Sequence, residues 1–223
     1  MLRGCVFLLA MMQEINLQGE HLMLLPQRAI WWPAQRTIIL SDLHWGKSAH
    51  FRKHGIPMPG STQQHDAVRL AGIIRHFHAE QLIIAGDLFH SKHNSEVDDF
   101  SHWRTSHPSL HIHFVMGNHD ILSAQFYQSL NFEVHREGLA KGPFYITHDD
   151  TAHERLYTIH GHVHPGVSMR GLGVKAVTLP CFCIGEHAMI LPAFGRFTGC
   201  KRIEPAHFRN VFVVGEEKVM QLK

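Results

Sequence analysis

Residues 37–44 read TIILSDLH: a short apolar run, a serine, then an aspartate and a histidine two positions apart. The same order, an apolar run with a polar cluster directly behind it, returns four more times. It is found at 82–87 (LIIAGD), 112–120 (IHFVMGNHD), 144–150 (FYITHDD) and 156–164 (LYTIHGHVH). Short runs that are apolar without alternation suit strands buried on both faces, so strands are expected at 37–40, 82–85, 112–116, 144–147 and 156–159. Between the first two, Ala67, Leu70, Ile74 and Phe77 recur at helical spacing, which predicts a helix over 62–78 and a strand, helix, strand crossover. Further helices are expected at 97–103 and 122–130. The tail from residue 174 offers strands (176–179, 188–191, 211–214) with no helix between them. The fold class is therefore layered α/β. In open α/β sheets the ligand crevice lies beyond the carboxyl ends of the strands, where all five clusters fall.

Length bounds the organisation. A chain of 223 residues supports one well-buried core, so a single domain over 1–223 is expected, with 1–14 as a disordered or weakly packed tail. An apolar share of 44% and a charged share of 18% fit a soluble globular protein, and no apolar run reaches membrane-spanning length. The formal charge of +2 gives no general affinity for nucleic acid, so such a partner has to be argued from local patches. Arg3 ahead of an apolar stretch imitates an export signal, but Gln13-Glu14 replaces the small residues of a cleavage site. Export is rejected in favour of a cytoplasmic location, and Met11 or Met12 is an alternative start. Cys5, Cys181, Cys183 and Cys200 form no Cys-x-x-Cys pair and read as free thiols of a reducing compartment, the middle two as small buried residues. Of the 22 histidines most need no function, and none is assigned to His107, His111 or His113.

The clusters differ in what each says alone. Asp42-x-His44 follows a strand, where alternate residues share a direction and can face one ion, yet a turn-capping Asp beside an exposed His gives the same tripeptide. Gly86-Asp87 reads as a turn without its companions. Gly117-Asn118-His119-Asp120 is more demanding, because a structural turn has little need of a carboxamide, an imidazole and a carboxylate in succession. In His160-Gly161-His162-Val163-His164, the last two histidines share a direction, Gly161 leaves room for close backbone approach, and His160 belongs to the core or behind the ligands. Carboxylate, imidazole and carboxamide with no thiolate form the donor set of borderline divalent metals.

In this order the blocks resemble the calcineurin-like metallophosphoesterase superfamily: Asp-x-His, Gly-Asp, Gly-Asn-His-Asp, His and Gly-His-x-His. The stretches SDLHWGKSAHFRKHGIPMP, GDLFHS, GNHD, ITHDD, HGHVHPG and LPAFG further resemble the ligase-associated DNA-damage-response endonuclease family, from about Ile15 onward. The resemblance implies a layered sandwich of mixed β-sheets flanked by helices, with two divalent ions, manganese first and iron or zinc as alternatives. One would be held by Asp42, His44, Asp87 and His164, the other by Asp87, Asn118, His148 and His162, with Asp87 bridging. His119 is cast beside the leaving group as general acid or charge stabiliser, with Asp120 holding its tautomer. The implied activity is a DNA endonuclease of repair, preferring single strands and linked to an ATP-dependent DNA ligase and a repair helicase. One departure stands out: the superfamily's His-Gly is here His148 followed by Asp149 and Asp150, either extra carboxylates disfavouring dianionic monoesters or solvated loop acids.

For substrate, Lys47 and Arg52 are the expected phosphate contacts, in a loop (45–54) that mixes cations with Trp45 and Phe51 in the manner of single-strand binders. The plainer reading is a solvated basic loop packed by its aromatics. Arg196 with Lys201-Arg202 extends the basic surface or is merely solvated. Two other functions remain open at this stage: a small-molecule phosphatase or nucleotide phosphodiesterase, and a non-catalytic scaffold on the same fold.

Overall fold

A computed structural model of the chain describes residues 12–45, 62–89, 95–170 and 176–223. Seven strands form the first sheet in strict chain order: β1 (Gln13–Leu17), β2 (Glu20–Leu25), β3 (Ala29–Trp32), β4 (Thr37–Leu40), β5 (Gln81–Ala85), β6 (His111–Val115) and β7 (Phe132–His135). The chain runs as an antiparallel meander into β4 and then pairs in parallel from β4 to β7. Parallel neighbours require long crossovers, and helices α1 (Thr62–Phe77), α2 (Ser95–Thr105) and α3 (Ala124–Ser129) lie within them.

The second sheet is built from β8 (Leu139–Lys141), β9 (Phe144–Thr147), β10 (Tyr157–His160), β11 (Pro165–Met169), β12 (Val177–Ile184), β13 (Ala188–Ile190), β14 (Lys201–Arg202), β15 (Asn210–Val214) and β16 (Val219–Gln221). Its path is β14-β11-β12-β13-β10-β9-β8, with β15 and β16 joined through β12. Here β10 is parallel to both β9 and β13.

Burial explains why the central strands read as unbroken apolar runs. Ile38, Leu40, Leu82, Ile84, Ile112 and Phe114 face the layer that also holds Leu70, Ile73, Phe100 and Tyr127 of the helices. Their alternates Ile39, Ile83 and Ala85 face Phe144, Ile146, Ile159, Phe182 and Met189 of the second sheet. Both faces of β4 and β5 are therefore dry, and polar alternation would cost stability on either side. The order of layers is helices, sheet, sheet.

Strands β4 and β9 fall on the expected bounds and the other three lie within one residue at each end, as do the ends of the first helix. The hairpins β1 to β3 are unanticipated. Two of the five residues of β1 are exposed, and Gln13, Glu14, Glu20 and His21 interrupt the apolar pattern that buried strands carry. Gln13 and Glu14, expected in the tail, pair with Leu24 and Met23 in β1; residues 1–11 lie outside the described residues.

Ile83 is fully buried between the two sheets. Ile83→Ala is expected to cost about 2–5 kcal/mol, seen as a lower urea midpoint at unchanged slope. By contrast Val68→Ala, at a residue 71% exposed, should stay within about 0.5 kcal/mol.

Candidate metal centre

The five expected clusters converge at one end of the sandwich and sort into two donor groups. Asp42, His44 and His164 form the first, and Asp87, His148 and His162 the second. In the first, His164 Nε2 lies 3.0 Å from Asp42 Oδ1 and 3.3 Å from His44 Nε2. In the second, His148 Nε2 lies 3.1 Å from His162 Nδ1 and 3.0 Å from Asn118 Oδ1. Asp87 stands between them: Oδ2 is 3.9 Å from His44 Nε2, and Oδ1 is 3.4 Å from His148 Nε2. The first sheet contributes Asp42, His44, Asp87 and Asn118, and the second contributes His148, His162 and His164, so neither sheet alone completes a group.

The hydrogen-bond pattern tests whether this is a metal site. His148 Nδ1 is 3.2 Å from the Ala85 carbonyl oxygen and donates to it, which turns Nε2 inward toward Asn118 Oδ1, Asp87 Oδ1 and a nitrogen of His162. These convergent donors make a place that a cation would fill. Asp42, His44, Asp87 and His148 form a dry floor, each no more than 5% exposed, and buried carboxylates of this kind need compensating positive charge. Burial would raise the Asp42 carboxyl, but the His164 hydrogen bond and the His164 and His148 imidazoles outweigh it and hold Asp42 below its ordinary value. Asp87 moves the other way: burial raises it, the Asp42 charge adds to the rise, and His148 opposes it. The donor set thus fits a pair of divalent ions.

Backbone conformation produces this convergence. Asp42 (φ 53), His44 (φ 47), Asp87 (φ 49), His162 (φ 65) and His164 (φ 51) are all left-handed. Non-glycine residues in that region cost on the order of 1–3 kcal/mol each and persist only where neighbours over-determine them. Here the neighbours are backbone amides: Asp42 N–H donates to Gly86 O at 3.1 Å, His44 N–H to Asp87 O at 2.9 Å, and His162 N–H to Asp42 Oδ2 at 3.1 Å. Asp42 and His44 therefore meet one group through curled loops rather than through the alternation of an extended strand, and His162 and His164 part to different groups. Gly161 gives the expected close approach, since a Cβ there would stand 2.5 Å from Asp42 Oδ2. Gly86 is tighter still, with φ +80 and a would-be Cβ 2.1 Å from His148 Nδ1.

The other expected residues divide. His119 is exposed on the rim, its ring 5.7 Å from that of His44, with its amide donating to Asp87 Oδ1 at 3.0 Å. Asp120 has a task the sequence did not suggest. Its Oδ1 accepts from Phe89 N–H at 3.1 Å and its Oδ2 from Gly117 N–H at 2.8 Å, so it straps the β5 and β6 loops together. Burial pushes its carboxyl up to about 7. His160 is buried, with Nδ1 3.1 Å from Gly161 O, in keeping with a place behind the ligands. Asp149 lies on the rim 3.6 Å from His162 Nδ1, and Asp150 is 81% exposed. Trp45 is no stacking platform: it is buried and packs edge-on against Phe100 at 4.9 Å. Lys47 and Arg52 lie outside the described residues.

A brace behind the first group was missed. Arg69 of α1 pairs with Asp66 at 3.0 Å, donates to the Phe194 carbonyl and lies 4.1 Å over the Phe194 ring. Asp66 also accepts from Arg196 N–H at 3.2 Å, while Gly195 N–H donates to Asp42 O at 3.1 Å. Helix α1 thereby holds the loop that holds Asp42. Burial raises the Asp66 carboxyl despite Arg69, and lowers Arg69 to about 10 despite Asp66. The available signal was an Asp66 and Arg69 pair at i, i+3 within a helix, together with the LPAFG stretch.

Comparison with known proteins agrees with this geometry. The family model for calcineurin-like phosphoesterase matches residues 35–179. Among solved structures the chain is similar to the crystal structure of Pseudomonas putida nuclease MPE, at 32% identity and a TM-score of 0.80, over 95% of this chain and 100% of that one. A search of curated proteins finds no match.

Two outcomes follow from the site. Gly86→Ala should weaken metal binding by about 10–100-fold in a metal titration while the far-ultraviolet circular dichroism stays native, because the added methyl displaces His148. Asp66→Ala leaves Arg69 buried without its carboxylate and should destabilise the fold by about 3–5 kcal/mol in urea unfolding.

Proposed function

The chain belongs to the calcineurin-like phosphoesterase family and is a metal-dependent phosphoesterase, and from that premise we propose that it is a manganese-dependent DNA endonuclease of repair, preferring single strands. The observation that carries this reading is that the whole of the nuclease chain aligns with this one. The single domain proposed over 1–223 has room for the same work.

Asp42, His44, Asp87 and His164 would hold one ion, and Asp87, Asn118, His148 and His162 the other. Each Asp87 oxygen faces a different group, which suits a bridging carboxylate. When bound, a pair of divalent ions supplies Lewis acidity toward the phosphoryl oxygens and activates water for attack near neutral pH. His119 then delivers a proton to the departing oxygen from the open rim, its backbone pinned by Asp87. Asp120 acts through position alone, keeping the two loops that carry Asp87 and His119 in register. Oxygen donors beside imidazole, without thiolate, favour manganese over softer ions.

Charge at the rim bears on the ester. Unit charges 4 Å apart interact by about 1 kcal/mol in water, and Asp149 is 62% exposed, so solvent screens it. A dianionic monoester therefore meets only several-fold more resistance than a monoanionic diester. Asp149 biases the choice toward diesters without deciding it, and contacts from Lys47 and Arg52 to the DNA backbone complete the proposal. A cytoplasmic setting fits the thiols of Cys181 and Cys183, buried 3.5 Å apart without a disulfide; an ATP-dependent ligase and a repair helicase are the functional partners that the family resemblance implies.

Purified protein with manganese is expected to linearise circular single-stranded DNA and to cleave an aromatic phosphodiester faster than the matching monoester. Monoester turnover without DNA cutting would overturn the nuclease reading. His119→Ala should lower kcat by about 10²–10⁴-fold with both ions retained; loss of metal instead would remove His119 from its place beside the leaving group.

A further inference from the structure

Strands β6 and β7 carry a second set of convergent donors away from the phosphoesterase site. His111 and His113 lie two apart on β6, Glu133 and His135 two apart on β7, and the parallel register sets His113 beside Glu133. Since Ile112, Phe114 and Phe132 point into the helix-side core, these four share the opposite face. Glu133 Oε2 is 2.9 Å from His111 Nε2 and 3.3 Å from His113 Nδ1. His135 Nε2 is 3.4 Å from His113 Nδ1 and 3.5 Å from Glu133 Oε1.

The geometry points to a zinc-class divalent ion bound by His111, His113 and Glu133, with His135 as fourth ligand, clamping edge strand β7 to β6. Three observations support it. Ligands about 2.0–2.1 Å from a tetrahedral zinc stand roughly 3.3–3.4 Å apart, close to the spacings found here. The tautomer of His113 is set from behind: Gln81 Oε1 accepts from Lys141 Nζ at 2.8 Å and lies 3.3 Å from His113 Nε2, so Nε2 is the donor and the Nδ1 lone pair faces Glu133. Imidazole in excess over carboxylate also suits zinc, copper or nickel, in contrast to the oxygen-richer pair of groups at the other end of the sheet. Lys141 opposes the ion as a nearby cation, but it is already engaged by Gln81.

The sites separate by position. His111 opens β6, whereas Asn118 lies past its far end; the strand alone spans roughly 13 Å at ~3.3 Å per residue. Among the described residues β7 ends the first sheet and pairs with β6 alone, so an ion shared by the two strands ties down an edge.

The test is metal stoichiometry on the full chain after dialysis against zinc, with cobalt as a spectroscopic probe. Wild type should hold one zinc more than His111→Ala and than Glu133→Gln, both changes at half-exposed side chains. Its cobalt form should show a visible absorption band that both variants lose. Zinc near a hundredfold over its Kd should raise Tm by roughly 5–10 °C more in wild type than in the variants, and manganese-dependent phosphodiester cleavage should be equal in all three. Equal zinc content in wild type and both variants would overturn the site and leave Glu133 as an acceptor of imidazole hydrogen bonds. Loss of cleavage in the variants would equally refute a site separate from the phosphoesterase centre, whatever ester that centre takes.

Discussion

The Asp87 carboxylate, buried at the end of a central strand, is the constraint on which the rest of the structure depends. One oxygen faces His44, and the other faces His148 and accepts the His119 amide. Burial and the neighbouring Asp42 charge both work against its ionisation. An acid in this position, unaccompanied, costs several kcal/mol. The arrangement stands because imidazoles and backbone amides surround it and because the site has the form that a cation completes. Ion binding and native structure are accordingly coupled, and removing metal should weaken the sandwich where its two sheets meet.

Layering explains how seven donors from distant parts of the sequence reach one place. The parallel runs β4-β5-β6 and β9-β10 both direct their carboxyl ends toward the crevice, one from each sheet. Because each donor group draws on both sheets, the site forms only when Ile39, Ile83 and Ala85 have packed on Phe144, Ile146 and Ile159. The apolar interlayer thus sets the distance between Asp42 and His164 as surely as their own hydrogen bond does. The brace from Asp66 and Arg69 through Phe194 and Gly195 adds a third fixed point, from the helix layer.

What could be read in the sequence follows from burial. Strands dry on both faces, such as 82–85, announce themselves as apolar runs, and each led directly to its cluster. Half-exposed strands did not: β1 alternates Gln13, Ile15 and Leu17 with exposed Glu14 and Asn16, a pattern too short and too polar to separate from a loop. Trp45 misled because an aromatic next to basic residues resembles a base-stacking loop, and only the packing against Phe100 reveals a core residue. The strap that Asp120 forms was hidden for the opposite reason. Its backbone partners, Phe89 and Gly117, are unremarkable residue types whose amides become visible only once two loops are folded together. The candidate donors stand out by their chemistry, and the division into two groups that the family resemblance implies rests physically on loop curvature that no spacing rule supplies.

Two donors separated by one residue share a face where the backbone is extended, as is expected of Asp42-x-His44 and His162-x-His164. Neither pair is extended: all four residues have positive φ, and the second pair is divided between the two groups. The rule does hold for His111-x-His113 and Glu133-x-His135, which lie in true strands. The same residue spacing thus arises from two backbone solutions with different consequences. Curled loops at a dry floor can place ions close enough to share Asp87, at the expense of backbone strain. A strand pair at a sheet edge gathers His111, His113 and Glu133 around a single point without positive φ, which suits holding two strands together.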